Sequence, residues 1–207
     1  MTWFPLIPLL FALKNIKSHN FISKIMIGFL LYDFVNELSS NIAFTLKYSN
    51  YIFHNTYNLI EFLFFAAISY LLNHSKIQRK AILVMCLICL GLFIYEFSLT
   101  EYGSILGTVE KAFLIILVFF YFNTLLSKLD VENIYHHPPF WIHSGLMVYA
   151  SLSILNELAT SSLIDAKGSV YNFFWKTMQI ATILFHLILA YSFWISGKET
   201  KAAINHE

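Results

Sequence analysis

Charge is what this sequence has least of. Only 12% of its 207 residues are Asp, Glu, Lys or Arg, about half of the roughly 25% usual in a soluble domain, while 58% are hydrophobic. So few charges cannot cover a water-facing surface, and the mean hydropathy of +0.65 is that of a membrane protein. The charges present nearly cancel. A net charge of +1 provides no basic field to hold a polyanion, which excludes direct nucleic-acid binding. Cysteine is scarce as well: Cys86 and Cys89 both lie in the apolar run "VMCLICLGLF", where a disulfide framework has no role. A redox CxxC needs an exposed helix start that lowers the thiol pKa, so these two read as small packing residues.

Positive charge is missing ahead of the first apolar run. In "MTWFPLIPLLFALKNIK" the lysines, Lys14 and Lys17, follow the apolar part, the reverse of a secretory signal, so no cleavage is expected. Met1 to Leu13 is also short of the ~20 residues that cross the hydrocarbon and contains Pro5 and Pro8, which makes it the weakest segment. Six stronger segments follow at about 21–46, 51–73, 80–98, 104–126, 139–159 and 170–195. Short links with breaker and cap residues separate them: "KYSN", "NHSKIQRK", "TEYGS", "HHPP" and "DAKGS". No stretch long enough for a soluble domain remains. The expected fold class is all-α, an integral membrane bundle of seven transmembrane helices, six if the first segment is interfacial. One domain would cover 1–198, with a short cytoplasmic tail at 199–207.

Lys and Arg concentrate on the cytoplasmic side of a membrane protein. The links after segments 1, 3, 5 and 7, with their flanks, hold Lys14, Lys17, Lys24, Lys76, Arg79, Lys80, Lys128, Lys198 and Lys201; the alternate links hold only Lys47 and Lys167. Nine against two places the C-terminus in the cytoplasm of an inner membrane and, if segment 1 spans, the N-terminus outside.

The remaining charges sit inside the apolar segments. "YNLIEFLFFAAISYLL" carries Glu61 with no wet edge to place it on. Glu37 precedes Lys47 by ten residues and Glu61 follows Asn50 by eleven, so both lie ~15 Å below the outer surface. Asp33 and Glu37 share a face (i, i+4), and His54, Asn58 and Glu61 form a second stripe. Glu110, Lys111 and Lys176 lie about two turns below the outer ends of their helices, with Asn156 and Glu157 nearer still. A charge facing lipid at mid-bilayer costs about 2.5 to 3.5 kcal/mol, so these groups must turn inward. They predict a polar, ligand-binding pocket opening outward, in which acids pair with Lys111, Lys176 or His54 or stay protonated. The plainer alternative is polar glue between helices, at about 0.6 kcal/mol per bond. His143 and His186 look isolated and read as packing residues, His136 and His137 as loop, and Gly103-x-x-x-Gly107 as a weak close-packing signal.

A short repeat links "NELSS" (36–40) and "NELAT" (156–160), each followed by a helix opening "YN". Three function classes fit the pattern. A sensor would bind a small polar or cationic ligand and, lacking an output domain, act on a separate soluble cytoplasmic or membrane partner. A small-molecule or ion transporter or channel needs a continuous path, yet the cytoplasmic half is apolar apart from Asn123, His143 and His186. An intramembrane metal-dependent hydrolase needs converging ligands, and Asp33, Glu37, His54 and Glu61 offer a carboxylate-rich set at best. The seven-helix hydrolases that include alkaline ceramidases show an HxxxH-type pair in the last helix, where His186 stands alone. The expectation is a non-enzymatic sensor or accessory protein, with no cofactor and the lipid bilayer as its constant partner.

The segments "FWIHSGLMVY" (140–149), "LILAYSFWISGK" (187–198) and "YNLIEFLFF" resemble a group of small multi-pass membrane proteins of Bacteroidetes-type bacteria. The group implies a multi-pass fold and carries no established activity. In size and hydrophobicity the chain is also similar to the membrane accessory proteins encoded beside RNA-targeting CRISPR effectors, which would imply a role in a defence system.

Overall fold

The computed structural model describes residues 4–14, 20–98, 101–128, 133–163 and 169–204. Lys17, Lys167 and the link at 165–168 lie outside them. Among the described residues the chain is all-helical: α1 (Leu6–Leu13), α2 (Phe21–Thr45), α3 (Tyr51–Leu72), α4 (Lys76–Glu96), α5 (Ser104–Lys128), a single 3-10 turn at Ile134–His136, α6 (Pro138–Leu163) and α7 (Ser169–Ile204). Four of these, α3, α4, α5 and α7, are long and apolar enough to cross a membrane. The exterior agrees with that environment, since Leu87, Ile94, Phe119, Leu155 and Phe173 are all exposed. The chain is a multi-pass membrane protein by these features.

Caps explain where the boundaries differ from expectation. α4 starts four residues early, at Lys76, because the Ser75 hydroxyl accepts a bond from Gln78 N. α6 begins at Pro138, inside the "HHPP" expected to be a link, since Pro is tolerated in a first helical turn. α2 is capped by Asn20, whose Oδ1 accepts from Ser23 N at 2.9 Å. α7 continues to Ile204, into the stretch expected to be tail.

The helices pack in the cyclic order α1–α2–α3–α5–α6–α7, with α7 returning to α1. α4 stays outside this ring, leaning on α3 and α5; only 17% of its apolar window is buried, against 44–56% for the other three spans. Phe29, Phe62, Phe65, Leu114, Leu117, Leu146 and Phe185 fill the ring centre. The lysine-rich end is tied by Asn73 at the end of α3, which accepts from Thr124 of α5 through its side chain and from Arg79 Nε through its carbonyl at 2.7 Å. At the opposite end Glu96 crosses to the start of α5. Its two oxygens accept from Ile105 N at 3.2 Å and Leu106 N at 2.6 Å, placing a carboxylate on the positive end of that helix.

Candidate functional site

Within the ring, α3, α5 and α6 meet along a polar seam. α3 contributes Asn55, Asn58 and Glu61 on successive turns; α5 and the residue before it contribute Gly103, Gly107 and Lys111, four apart. The glycines let the α3 side chains reach in. Asn55 Oδ1 accepts from Gly103 N at 3.0 Å, while its Nδ2 donates to the carbonyls of Ser98 and Glu101 at 3.2 and 3.0 Å. One turn deeper, a Cβ on Gly107 would stand 2.5 Å from Glu157 Oε2 and 3.0 Å from Asn58 Nδ2, so a carboxylate from α6 and an amide from α3 crowd one bare Cα. Tyr102 donates its hydroxyl to that Glu157 carboxylate. Burial, with the carboxylate beside it, raises the Tyr102 phenol well above its ordinary pKa, so it remains a donor.

The deepest tier answers why Glu61 is there. Lys111 Nζ donates to Glu61 Oε2, and Glu61 also accepts from Tyr57 at 3.1 Å and Tyr149 at 3.3 Å. The ammonium stands 5.0 Å over the Tyr149 ring and 2.7 Å from Glu110 Oε2. Apart from that ammonium, neither Glu110 oxygen has a donor among the described residues. Glu61, Glu110 and Lys111 are each 0% exposed and Glu157 is 3% exposed. These four side chains are therefore shut off from the exterior. A 380 Å³ cavity lies elsewhere, on the lipid side of α3 between α2 and α4.

A second ion pair joins α2 to α7. Asp33 Oδ2 lies 2.9 Å from His186 Nε2, and His186 Nδ1 lies 2.7 Å from the Thr182 carbonyl. The ring thus has an oxygen within hydrogen-bond reach at both nitrogens, which fixes its orientation between α2 and its own helix. Two stacked ring pairs connect this site to the first: Tyr32 with Tyr57 at 6.4 Å, and Phe185 with Tyr149 at 5.1 Å. The isolation expected for His186 is corrected here; its partner comes from a helix 153 positions away and has no local signature. Replacing either partner alone, Asp33→Leu or His186→Leu, should cost about 3 to 5 kcal/mol, and the double variant much less than the sum, because the single changes strand a buried charge. Denaturant titration in detergent measures this; strictly additive losses would dissolve the pair.

Other expected site residues take different places. Glu37 is half-buried on α2 one turn beyond Asp33, outside the Glu61–Lys111 tier. His54 is half-buried one turn nearer the start of α3 than Asn58, its Nε2 3.4 Å from Asn50 Nδ2 and its ring 6.3 Å from that of Tyr102. Asn156 is half-buried beside Glu157. Lys176, expected to turn inward, is exposed. The helical phase explains it: nine residues separate Lys176 from buried Phe185, which is about 180° around the helix. The two NEL segments are not equivalent either, since Glu157 is buried against Tyr102 and Glu37 is not. His143 does pack, stacked on Tyr121 at 3.8 Å with Nδ1 bound to the Pro139 carbonyl.

Sequence reasoning missed Asn55, Tyr57, Tyr102 and Tyr149. Asn55 had a signal, because it faces Gly103 in the same register that puts Glu61 opposite Lys111. The tyrosines had none among 12 in the chain. No three His, Cys, Asp or Glu side chains converge as a metal site among the described residues. Asp33 belongs to the His186 pair and Glu61 to the Lys111 tier, so the carboxylate set considered for a hydrolase is divided. No protein-family model matches the chain, and no curated protein and no solved structure matches it.

Proposed function

We propose that this is an inner-membrane protein of seven spanning segments, N-terminus outside and C-terminus cytoplasmic, that senses a proton or small cation and relays it to a separate partner protein. Charge balance carries the reading. Among the described residues Glu61 and Glu110 flank the ammonium of Lys111, Glu157 stands near enough to feel its charge, and all four side chains are buried. Two unbalanced negative charges in such a place would cost several kcal/mol each, so the site is stable only with protons or a cation to match them. Glu110, whose oxygens meet no donor other than that ammonium among the described residues, is the group that takes the extra positive charge. Gain or loss of that charge changes what holds α3, α5 and α6 together, and helix repacking is the output.

Sensing is favoured over conduction by the layer beneath. Leu114, Leu117 and Val118 follow Lys111 on α5, all 0% exposed, and extend over ~10 Å with Phe62, Phe65 and Leu146 around them. Every residue of α5 between Lys111 and Tyr121 is apolar, so that stretch offers an ion in transit no ligand. In mild detergent, the wild-type melting temperature is expected to shift by several degrees with pH or with added monovalent cation, and Glu110→Gln and Glu61→Gln to remove most of the shift. Liposomes containing the protein should hold a proton gradient. Equal pH and cation responses in wild type and both variants would remove the site, whereas sustained flux lost in Glu110→Gln would replace sensing with transport.

A further inference from the structure

We propose that the cavity on the lipid face of α3 is a binding slot for one acyl chain of an anionic phospholipid, with its headgroup held at Arg79. The proposal rests on the chain being membrane-embedded and is independent of the acid cluster. The slot has a volume of about 380 Å³, and its walls are apolar: Ile25 from α2, Leu63, Ala67 and Tyr70 from α3, Ile82 and Cys86 from α4. Ala66 and Ala67 both line it, between Phe64 and Tyr70 along α3, so two small side chains leave the depression. From Leu63 to Leu71 it extends ~12 Å along α3. Leu63, Leu71 and Leu83 on its rim are 38, 41 and 53% exposed, so it opens sideways into the hydrocarbon.

The slot is apolar along its length and basic at one end. Arg79 stands on the α4 stripe that lines it, three, four and seven residues before Ile82, Leu83 and Cys86. Its guanidinium is fixed in place, 5.0 Å over the Tyr70 ring and bonded through Nε to the Asn73 carbonyl at 2.7 Å. Lys24, next to Ile25 on α2, and Lys76 and Lys80 on α4 are exposed at the same end. A guanidinium suits a phosphodiester, and each Lys or Arg near a membrane surface adds about 1 kcal/mol for an anionic lipid. Four cations beside one apolar slot match a lipid with a negative headgroup and a hydrocarbon tail. A second copy of the chain would bring its own basic end to this one if packed in parallel.

The experiment uses the full chain in nanodiscs of phosphatidylcholine doped with phosphatidylglycerol, released into the gas phase for native mass spectrometry. One phosphatidylglycerol per protomer should be retained about fivefold over phosphatidylcholine. Arg79→Gln should cut that preference severalfold, the three lysines supplying what remains. Ala67→Phe, which fills the floor without touching charge, should reduce retention of both. Phosphatidylglycerol with a photoreactive tail should crosslink to the peptides containing Leu63–Leu71 and Ile82–Cys86 in wild type and not in Ala67→Phe. Unchanged retention in both variants, crosslinks spread evenly over the exterior, or a lipid-free dimer abolished by Ala67→Phe would each overturn the assignment. Monodisperse elution with unchanged helicity confirms that each variant is folded.

Discussion

Lys111→Met is expected to insert into the membrane more readily than wild type and to fold less stably once there. Removing an ammonium from an apolar segment lowers the insertion cost by up to about 2.5 to 3.5 kcal/mol, the value at a helix centre. In the folded bundle that ammonium is bonded to Glu61 and lies 2.7 Å from Glu110, both completely buried. Its loss leaves the acids without a counter-charge, which costs about 3 to 5 kcal/mol in comparable buried pairs. The two effects have opposite signs and separate assays: glycosylation mapping of α5 reports insertion, and denaturant titration in detergent reports folding. Adding Glu61→Gln to Lys111→Met should recover part of the loss, because one of the stranded carboxyls is then neutral. A Lys111→Met protein as stable as wild type would mean that the ammonium does not hold the seam together, and the charge-balance reading would go with it.

Two glycines should respond oppositely to the same substitution. A methyl on Gly107 would meet Glu157 Oε2 at 2.5 Å, Glu157 Cδ at 2.9 Å and Asn58 Nδ2 at 3.0 Å. Glu157 could swing aside only by giving up its bond from Tyr102 inside a packed site. Overpacking of that kind costs about 1 to 3 kcal/mol, more than the roughly 1 kcal/mol that Ala gains over Gly in a helix. Gly107→Ala should therefore destabilise. Gly91, on peripheral α4, has nothing within 4 Å of its Cβ position, so Gly91→Ala should be neutral or gain up to about 1 kcal/mol. Melting temperatures of the two single variants decide it. Equal shifts would show that Gly107 is present for reasons other than close approach.

These variants also show what could be read in advance. Glu61 and Lys111 stood out because each is a charge within an apolar run, where chemistry forbids it to face lipid. The direction each would turn was legible; the partner was not. Asp33 and Glu37 share a helix face, and nothing along that face shows that Asp33 pairs with His186 of α7. Lys176 carries the same charge as Lys111 at similar depth and still points out, because the inward side of α7 is set by Ala181, Phe185 and Leu189.

By itself the sequence determined the environment and the periodicity: a scarcity of charge that only lipid can accommodate, helical segments between short caps, and acids that must avoid hydrocarbon. These are local or compositional properties, each decided by a residue and its neighbours along the chain. Only the tertiary structure decided that α4 lies outside the ring, that Gly107 leaves room for Glu157, and that the Lys111 ammonium meets Glu61. Pairings of that kind join residues 50 to 150 positions apart, and they depend on the rotation of each helix about its own axis, which is settled when the apolar faces pack together.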